Sequence, residues 1–257
     1  MTLLQQGKRD RLWVKRFDRR EALGVAAAQE LIAHLQQLLQ QQAVVRMVFA
    51  AAPSQREFLA ALAAAPDVDW SRIHAFHMDE YIGLDEAAPQ RFSHFLREHL
   101  FNRVQPGEVH LIPSRGEPAK ICLEYARELD AAAIDVVCLG IGENGHLAFN
   151  DPPVADFNDP LSVKTVQLDE ACRQQQVNDG CFTTLLQVPT HAVTLTIPAL
   201  MRGARLFCMV PGATKRAAVQ ATLHDAISTA CPATLLRQHP NCTLYIDTDA
   251  CAEVCFD

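Results

Sequence analysis

Two kinds of segment are missing from this sequence. No apolar run approaches the length that crosses a bilayer, and the opening residues, MTLLQQGKRDRLWVKRF, lack an apolar core of signal-peptide length. Both absences lead to the expectation of a cytoplasmic protein with no membrane partner. No CxxC pair occurs among the nine cysteines, an odd number, which sit mostly inside apolar runs (Cys138, Cys208) or toward the C-terminal end (Cys242, Cys251, Cys255). Reduced thiols are therefore expected, rather than a disulfide framework or a cysteine-based zinc site. Positive charge is scarce as well. A formal net charge of -7 argues against nucleic acid or an anionic membrane as the main partner. Internal repeats and low-complexity segments are also absent.

What is present fits a single domain spanning 1–257. The chain has 257 residues, 49% hydrophobic and 21% charged, enough for one large α/β domain with a substantial core. Strand-like runs at Leu12 to Phe17, Val44 to Ala50, Ile73 to Met78 and Ile134 to Leu139 alternate with helical patterns at Arg20 to Gln42, Arg91 to Leu100 and Glu117 to Asp130. Further β character falls near Val109 and at Val163 to Leu168, His191 to Ile197, Leu206 to Val210 and Thr243 to Ile246, with a helix at Thr214 to Leu223. This βα order predicts a mainly parallel sheet with helices on both faces, a modified Rossmann-like fold. Ser54-Gln55-Arg56-Glu57 has the pattern of a capping box opening a helix. The stretch 152–187, rich in Asp, Asn and Gln, is the candidate for a mobile lid.

Two segments carry the chemistry. The buried run ending at Leu139 passes into Gly140-Ile141-Gly142-Glu143-Asn144-Gly145-His146-Leu147-Ala148-Phe149-Asn150-Asp151-Pro152. That places a glycine-rich turn with one histidine at a strand's carboxyl end, where open α/β sheets bind ligands. Imidazole moves protons near neutral pH, and carboxylates nearby orient it. The run Ile73 to Met78 likewise ends in Asp79-Glu80-Tyr81-Ile82-Gly83, with alternation placing Ala75, His77 and Asp79 on one face. His74 falls on the opposite face from His77, so His74, His77 and Asp79 do not converge on a metal. No metal site and no cofactor is expected.

Together, Phe76-His77-Met78-Asp79-Glu80-Tyr81, the segment Gly140 to Pro152, and Val210-Pro211-Gly212-Ala213-Thr214-Lys215 resemble the signatures of the glucosamine-6-phosphate deaminase and 6-phosphogluconolactonase family. The Asn-Gly-His-Leu-Ala-Phe-Asn-Asp-Pro ending is similar to the deaminase branch. The resemblance implies the ribose-5-phosphate isomerase and CoA-transferase-like fold and a small sugar phosphate as partner. It also implies the conversion of an amino-sugar phosphate such as glucosamine 6-phosphate to a ketose phosphate and ammonia. In that scheme His146 opens the sugar ring and Asp79 carries a proton from C2 to C1. Lys215 binds the phosphate, with Ser54, Glu80, Gly145 and Arg173 as further binding candidates. The strand-helix turn Ala50 to Gln55 has no glycine, unlike the family's phosphate turn.

Two departures concern the histidine loop. Asn144 stands where the deaminases have aspartate, and Asp151 where they have glutamate. Asn144 can accept a hydrogen bond from the imidazole but cannot stabilise an imidazolium by charge. These departures keep two alternatives open, a lactonase-type hydrolase and a catalytically weak sugar-phosphate sensor. A homo-oligomer is compatible with the sequence, which does not set its size.

Overall fold

The computed structural model describes residues 2–253. The chain opens with a hairpin, β1 (Leu3–Arg9) and β2 (Leu12–Phe17), followed by α1 (Arg20–Gln41), β3 (Val45–Phe49), α2 (Arg56–Ala63), β4 (Ile73–His77) and β5 (Asp79–Tyr81). Next come α3 (Phe92–Leu96), α4 (Asn102–Val104), β6 (Glu108–His110), α5 (Pro118–Asp130), β7 (Val136–Leu139) and β8 (Val163–Gln167). The last elements are α6 (Glu170–Asn178), β9 (His191–Leu195), α7 (Ile197–Met201), β10 (Arg205–Val210), α8 (Arg216–His224) and β11 (Cys242–Asp247).

Eight strands form one sheet in the order β1-β2-β11-β10-β7-β3-β4-β6, parallel throughout except for the β1–β2 hairpin at one edge. The central strands are mostly apolar, Arg46 of β3 and Arg205 of β10 excepted, because both faces are covered. Val45, Met47 and Phe49 of β3 point into one core with Leu31 and Leu35 of α1 and Phe58 and Leu62 of α2. Val48 points into the other core, with Tyr125 and Leu129 of α5 and Val219 and Leu223 of α8. Period-two alternation of branched and aromatic side chains thus feeds two cores from a single strand.

The sequence reading placed all the strands in one sheet, and that expectation is corrected at Met78. There the chain leaves the main sheet, and β5 pairs antiparallel with β9 in a second, three-stranded sheet, β5-β9-β8. Met78 straddles the two sheets: its N–H donates to Phe49 O, and its carbonyl accepts from Leu195 N–H. Strand β8 and helix α6 occupy much of the stretch expected to be a lid. The capping box is also corrected. A 3-10 turn at Pro53–Gln55 precedes α2, Ser54 makes no cap bond, and Glu57 instead forms a two-pronged ion pair with Arg20 at 2.8 and 2.9 Å.

No helix among the described residues is long and apolar enough to cross a membrane. The eight described cysteines are free thiols.

Candidate active site

A cavity of about 630 Å³ opens at the carboxyl ends of β3, β4, β7 and β10. Its walls come from Ala50–Ala52, Ser54 and Gln55 after β3, Asp79 after β4, Gly140–Gly142 and His146 after β7, and Lys215 after β10. A lining that brings carboxylate, imidazole, ammonium and amide groups together suits a small polar metabolite. Of the residues expected from sequence, Asp79, His146, Ser54 and Lys215 meet here. Gln175, Gln176 and Asp179, at the end of α6, line it from above.

Asp79 is 7% exposed, and its carboxylate has no hydrogen-bond donor among the described residues. Burial, and secondarily the charge of Glu80, raise its pKa well above the ordinary carboxylate value. A carboxyl so placed is a stronger base than an exposed one, and it faces the cavity. Strand β9 fixes its position. Asp79 sits opposite Thr194, whose hydroxyl also accepts the Phe149 N–H at 3.1 Å. The Asn150 side chain donates to Leu195 O and Leu147 O, both at 2.8 Å. One short strand therefore holds both functional segments.

The histidine loop folds tightly on itself. Gly142 N–H donates to His146 O, and Gly145 N–H to Gly142 O. A Cβ on Gly142 would lie 2.2 Å from the imidazole, so glycine is what lets the ring rest on the loop backbone. Gly145 has φ 84°, and a Cβ there would meet Cys231 Sγ at 2.4 Å. Gly145 thus shapes the loop and lies outside the cavity wall, which corrects its expected place among the ligand-binding residues.

His146 Nδ1 lies 2.8 Å from Asp151 Oδ1, a short contact although the ring N–H is poorly aligned with the oxygen. Nε2 has no partner among the described residues and faces the cavity. Asn144 does not bond the ring. Its amide donates to Asp151 Oδ1 at 2.9 Å, and its carbonyl accepts the His146 backbone N–H at 3.1 Å. Burial pushes the Asp151 carboxyl upward, but His146, Asn144 and the Cys172 thiol outweigh it and hold the pKa below the ordinary value. The ring-orienting group is the carboxylate of Asp151, so the expected contact from Asn144 to the imidazole is corrected.

His146, Asp151 and Cys172 bring ligand-type atoms within 4.8 Å of one another. This is a poor metal site. The 2.8 Å His–Asp contact leaves no room for an ion between them, and burial raises the thiol pKa strongly, against the thiolate a metal requires.

Lys215 is 5% exposed and has no hydrogen-bond or ion-pair partner among the described residues. Burial lowers its pKa, against the attraction of Asp179 and Glu143. A buried, unpaired ammonium at the mouth of a turn-to-helix junction is suited to an anion. Two expected binding residues are elsewhere. Glu80 is fully buried outside the cavity, accepting from the N–H groups of Tyr81, Phe92 and Ser93 and from the Ser93 hydroxyl, with Arg91 Nε at 3.4 Å. Arg173 spends its guanidinium on the carbonyls of Leu185 and Val188. Both expectations are corrected because the Glu80 carboxylate is fully occupied within the protein, and Arg173 is held at two of its nitrogens outside the cavity wall.

The profile of the glucosamine-6-phosphate isomerases/6-phosphogluconolactonase family matches residues 18–245. The chain belongs to this family. Curated relatives from Bacillus thuringiensis (strain Al Hakam) and Bacillus anthracis (strain A0248), both named glucosamine-6-phosphate deaminase, are 35% identical over 195 residues, covering 74% of this chain and 72% of each relative. Among solved structures, a monomeric glucosamine-6-phosphate deaminase aligns with a TM-score of 0.85 at 24% identity, over 93% of this chain and 98% of its own. A 6-phosphogluconolactonase from Thermotoga maritima aligns with a TM-score of 0.76 at 21% identity, over 92% of this chain and 99% of its own. These two structures establish the family's fold for this chain.

Sequence reasoning did not find Gln55, Phe92, Gln175, Gln176 and Asp179 in the cavity wall. The last three share the end of α6, and their spacing is that of any polar helix face. No signal in the sequence separated them from solvated residues.

Proposed function

We propose that this protein deaminates and isomerises an amino-hexose 6-phosphate, converting glucosamine 6-phosphate and water to fructose 6-phosphate and ammonia. The observation that carries the reading is Asp79. It is a buried, unpartnered carboxylate at the end of β4, in one cavity with an imidazole whose Nε2 is free. The names of the curated relatives point the same way.

In the proposed reaction, the phosphate is held by Lys215 and by the turn that carries Ser54. His146 Nε2 takes the proton of the C1 hydroxyl and returns one to the ring oxygen, breaking the C1–O5 bond and leaving an open-chain aldehyde. The Asp151 carboxylate steadies the imidazolium formed in between. Asp79 then removes the C2 proton, which the C1 carbonyl acidifies, and delivers it to C1, while a proton passes from the amino nitrogen to O1. The resulting C2 imine adds water and expels ammonia, leaving the ketone. Every step is proton transfer or hydrolysis, so the residues present suffice without a redox or metal cofactor.

A lactonase reading requires only one water attack on an ester carbonyl and gives Asp79 no proton to shuttle. The deciding assay incubates the protein with glucosamine 6-phosphate and with 6-phosphogluconolactone. Ammonia and fructose 6-phosphate in equal amounts are expected from the first. Acid release from the lactone with no ammonia from the amino sugar would replace the proposal with a hydrolase, and binding without turnover of either would replace it with a sensor. A cytoplasmic location belongs to the same proposal, since the substrate and product are charged metabolites.

A further inference from the structure

Strands β4 and β6 bring together three side chains far apart in the sequence. His74 pairs directly with Glu108 in the parallel register, and His110 lies two residues further along the same face. His74 Nδ1 is 3.3 Å from Glu108 Oε2, and His110 Nε2 is 3.1 Å from the same oxygen. The ligand-type atoms of all three lie within 4.8 Å of one another. Tetrahedral zinc, with bonds of about 2.0–2.1 Å, sets its ligands roughly 3.3–3.4 Å apart. One edge of the triangle already has that length, the second at 3.1 Å is slightly shorter, and small rotations of these partly exposed side chains adjust it and close the third.

The surroundings orient these ligands. His110 Nδ1 lies 2.8 Å from Glu128 Oε2 on α5, which leaves Nε2 facing Glu108. A carboxylate on the far nitrogen is how proteins fix the tautomer of a ligating histidine. The His110 ring is also stacked on Phe76, with centroids 4.3 Å apart and planes 6° from parallel. Arg46, the nearby cation on β3, donates to the carbonyls of Glu128, Leu129 and Ala132 and makes no ion pair with Glu108. The cluster lacks thiolates and contains two imidazoles, which suits zinc or a similar borderline divalent ion rather than calcium or magnesium.

We propose that His74, Glu108 and His110 form a zinc-type site with a solvent-facing fourth position, supported by Glu128. The ion would tie the short edge strand β6 to β4 and α5, on a side of the sheet separate from the cavity. The sequence reading paired His74 with His77 and found no convergence. The partners lie on the neighbouring strand, and strand order is not written in local spacing.

The competing state is an imidazolium of His110 held between two carboxylates, which would bind no metal. The test strips the full-length protein with a chelator and titrates it with zinc against a chromogenic indicator. One equivalent is expected to bind, at least about tenfold weaker in His74→Asn and in His110→Asn, and roughly 10- to 100-fold weaker in Glu128→Gln. Zinc should also raise the melting temperature of the wild type more than that of the variants. Cobalt bound at this site should give ligand-field bands without a thiolate charge-transfer band. Glu128→Gln changes only a half-exposed helix residue, so it reports even if a histidine variant fails to fold. Equal zinc affinity in wild type and Glu128→Gln, or a thiolate band abolished by Cys172→Ser, would overturn the proposal.

Discussion

The Asn144 amide and the His146 ring meet at one oxygen: Asp151 Oδ1 accepts from Asn144 Nδ2 at 2.9 Å and lies 2.8 Å from His146 Nδ1. Asn144 therefore acts on the imidazole through Asp151.

Asn144→Ala should loosen Asp151 and let the ring drift. A hydrogen bond to a charged group is worth about 1.5–3 kcal/mol, so the fall in kcat reaches up to roughly a hundredfold if all of it is felt in the transition state. Asn144→Asp should not restore a better deaminase, because it sets two carboxylates against each other across that contact and one must hold a proton. Rate–pH profiles of the three proteins check this. A faster enzyme in Asn144→Asp, with an unshifted acid limb, would contradict the geometry.

Asp79 sets a pH dependence of known sign. Its raised pKa means that falling pH protonates the base early, so the acid limb of kcat/KM should lie above the ordinary carboxylate range. Asp79→Asn should lose about 10²–10⁴-fold in activity and all exchange of the C2 proton with solvent. The folded state holds this proton more tightly than the unfolded chain does. Its contribution to stability is present at low pH and lost as pH rises through the folded-state pKa. The asparagine variant should therefore melt higher than wild type at neutral and alkaline pH and not in acid, as melting curves across pH would show.

Gly142→Ala tests the seat of the imidazole. The added methyl must displace either the loop or His146, since it would come within 2.2 Å of the ring. Overpacking of this kind costs about 1–3 kcal/mol of stability, and a misplacement near 1 Å costs about a hundredfold in rate. Comparing kcat and urea midpoints separates the two effects. Full activity would show that the ring has room elsewhere.

Glu80→Ala should act on stability. It removes a buried acceptor of four hydrogen bonds beside Arg91, a change worth about 3–5 kcal/mol when a buried charge loses its partner. Chemical denaturation reads this directly. A raised KM with unchanged stability would return Glu80 to the ligand-binding role expected from sequence.

Much of this molecule was legible in its sequence because its core strands are mostly apolar and its helices carry ordinary signals. Leu12 to Phe17 and Leu206 to Val210 end within a residue of where they were expected. The three family motifs do converge on one cavity. The second sheet escaped notice because the alternation of His77 and Asp79 with Phe76, Met78 and Glu80 runs straight through the break at Met78 without a mark. β1 was missed because its exposed face reads as polar chain (Gln5, Gln6, Lys8), and its turn at Asp10 has no glycine, although φ is 53°. Glu80 and Arg173 were misplaced for a common reason. Sequence gives the charge of a side chain but not which nearby backbone groups will claim it.

The hold that β9 has on both functional segments bears on synthesis as well as on the finished protein. Asp79 is positioned only when it pairs with Thr194, and the histidine loop is anchored by the same strand. A nascent or truncated chain ending before residue 191 holds the β7-β3-β4-β6 half of the main sheet and both motifs, yet it has no template to set them against each other. Turnover should thus appear late and all at once as the chain lengthens, making activity a reporter of completed long-range pairing rather than of local folding.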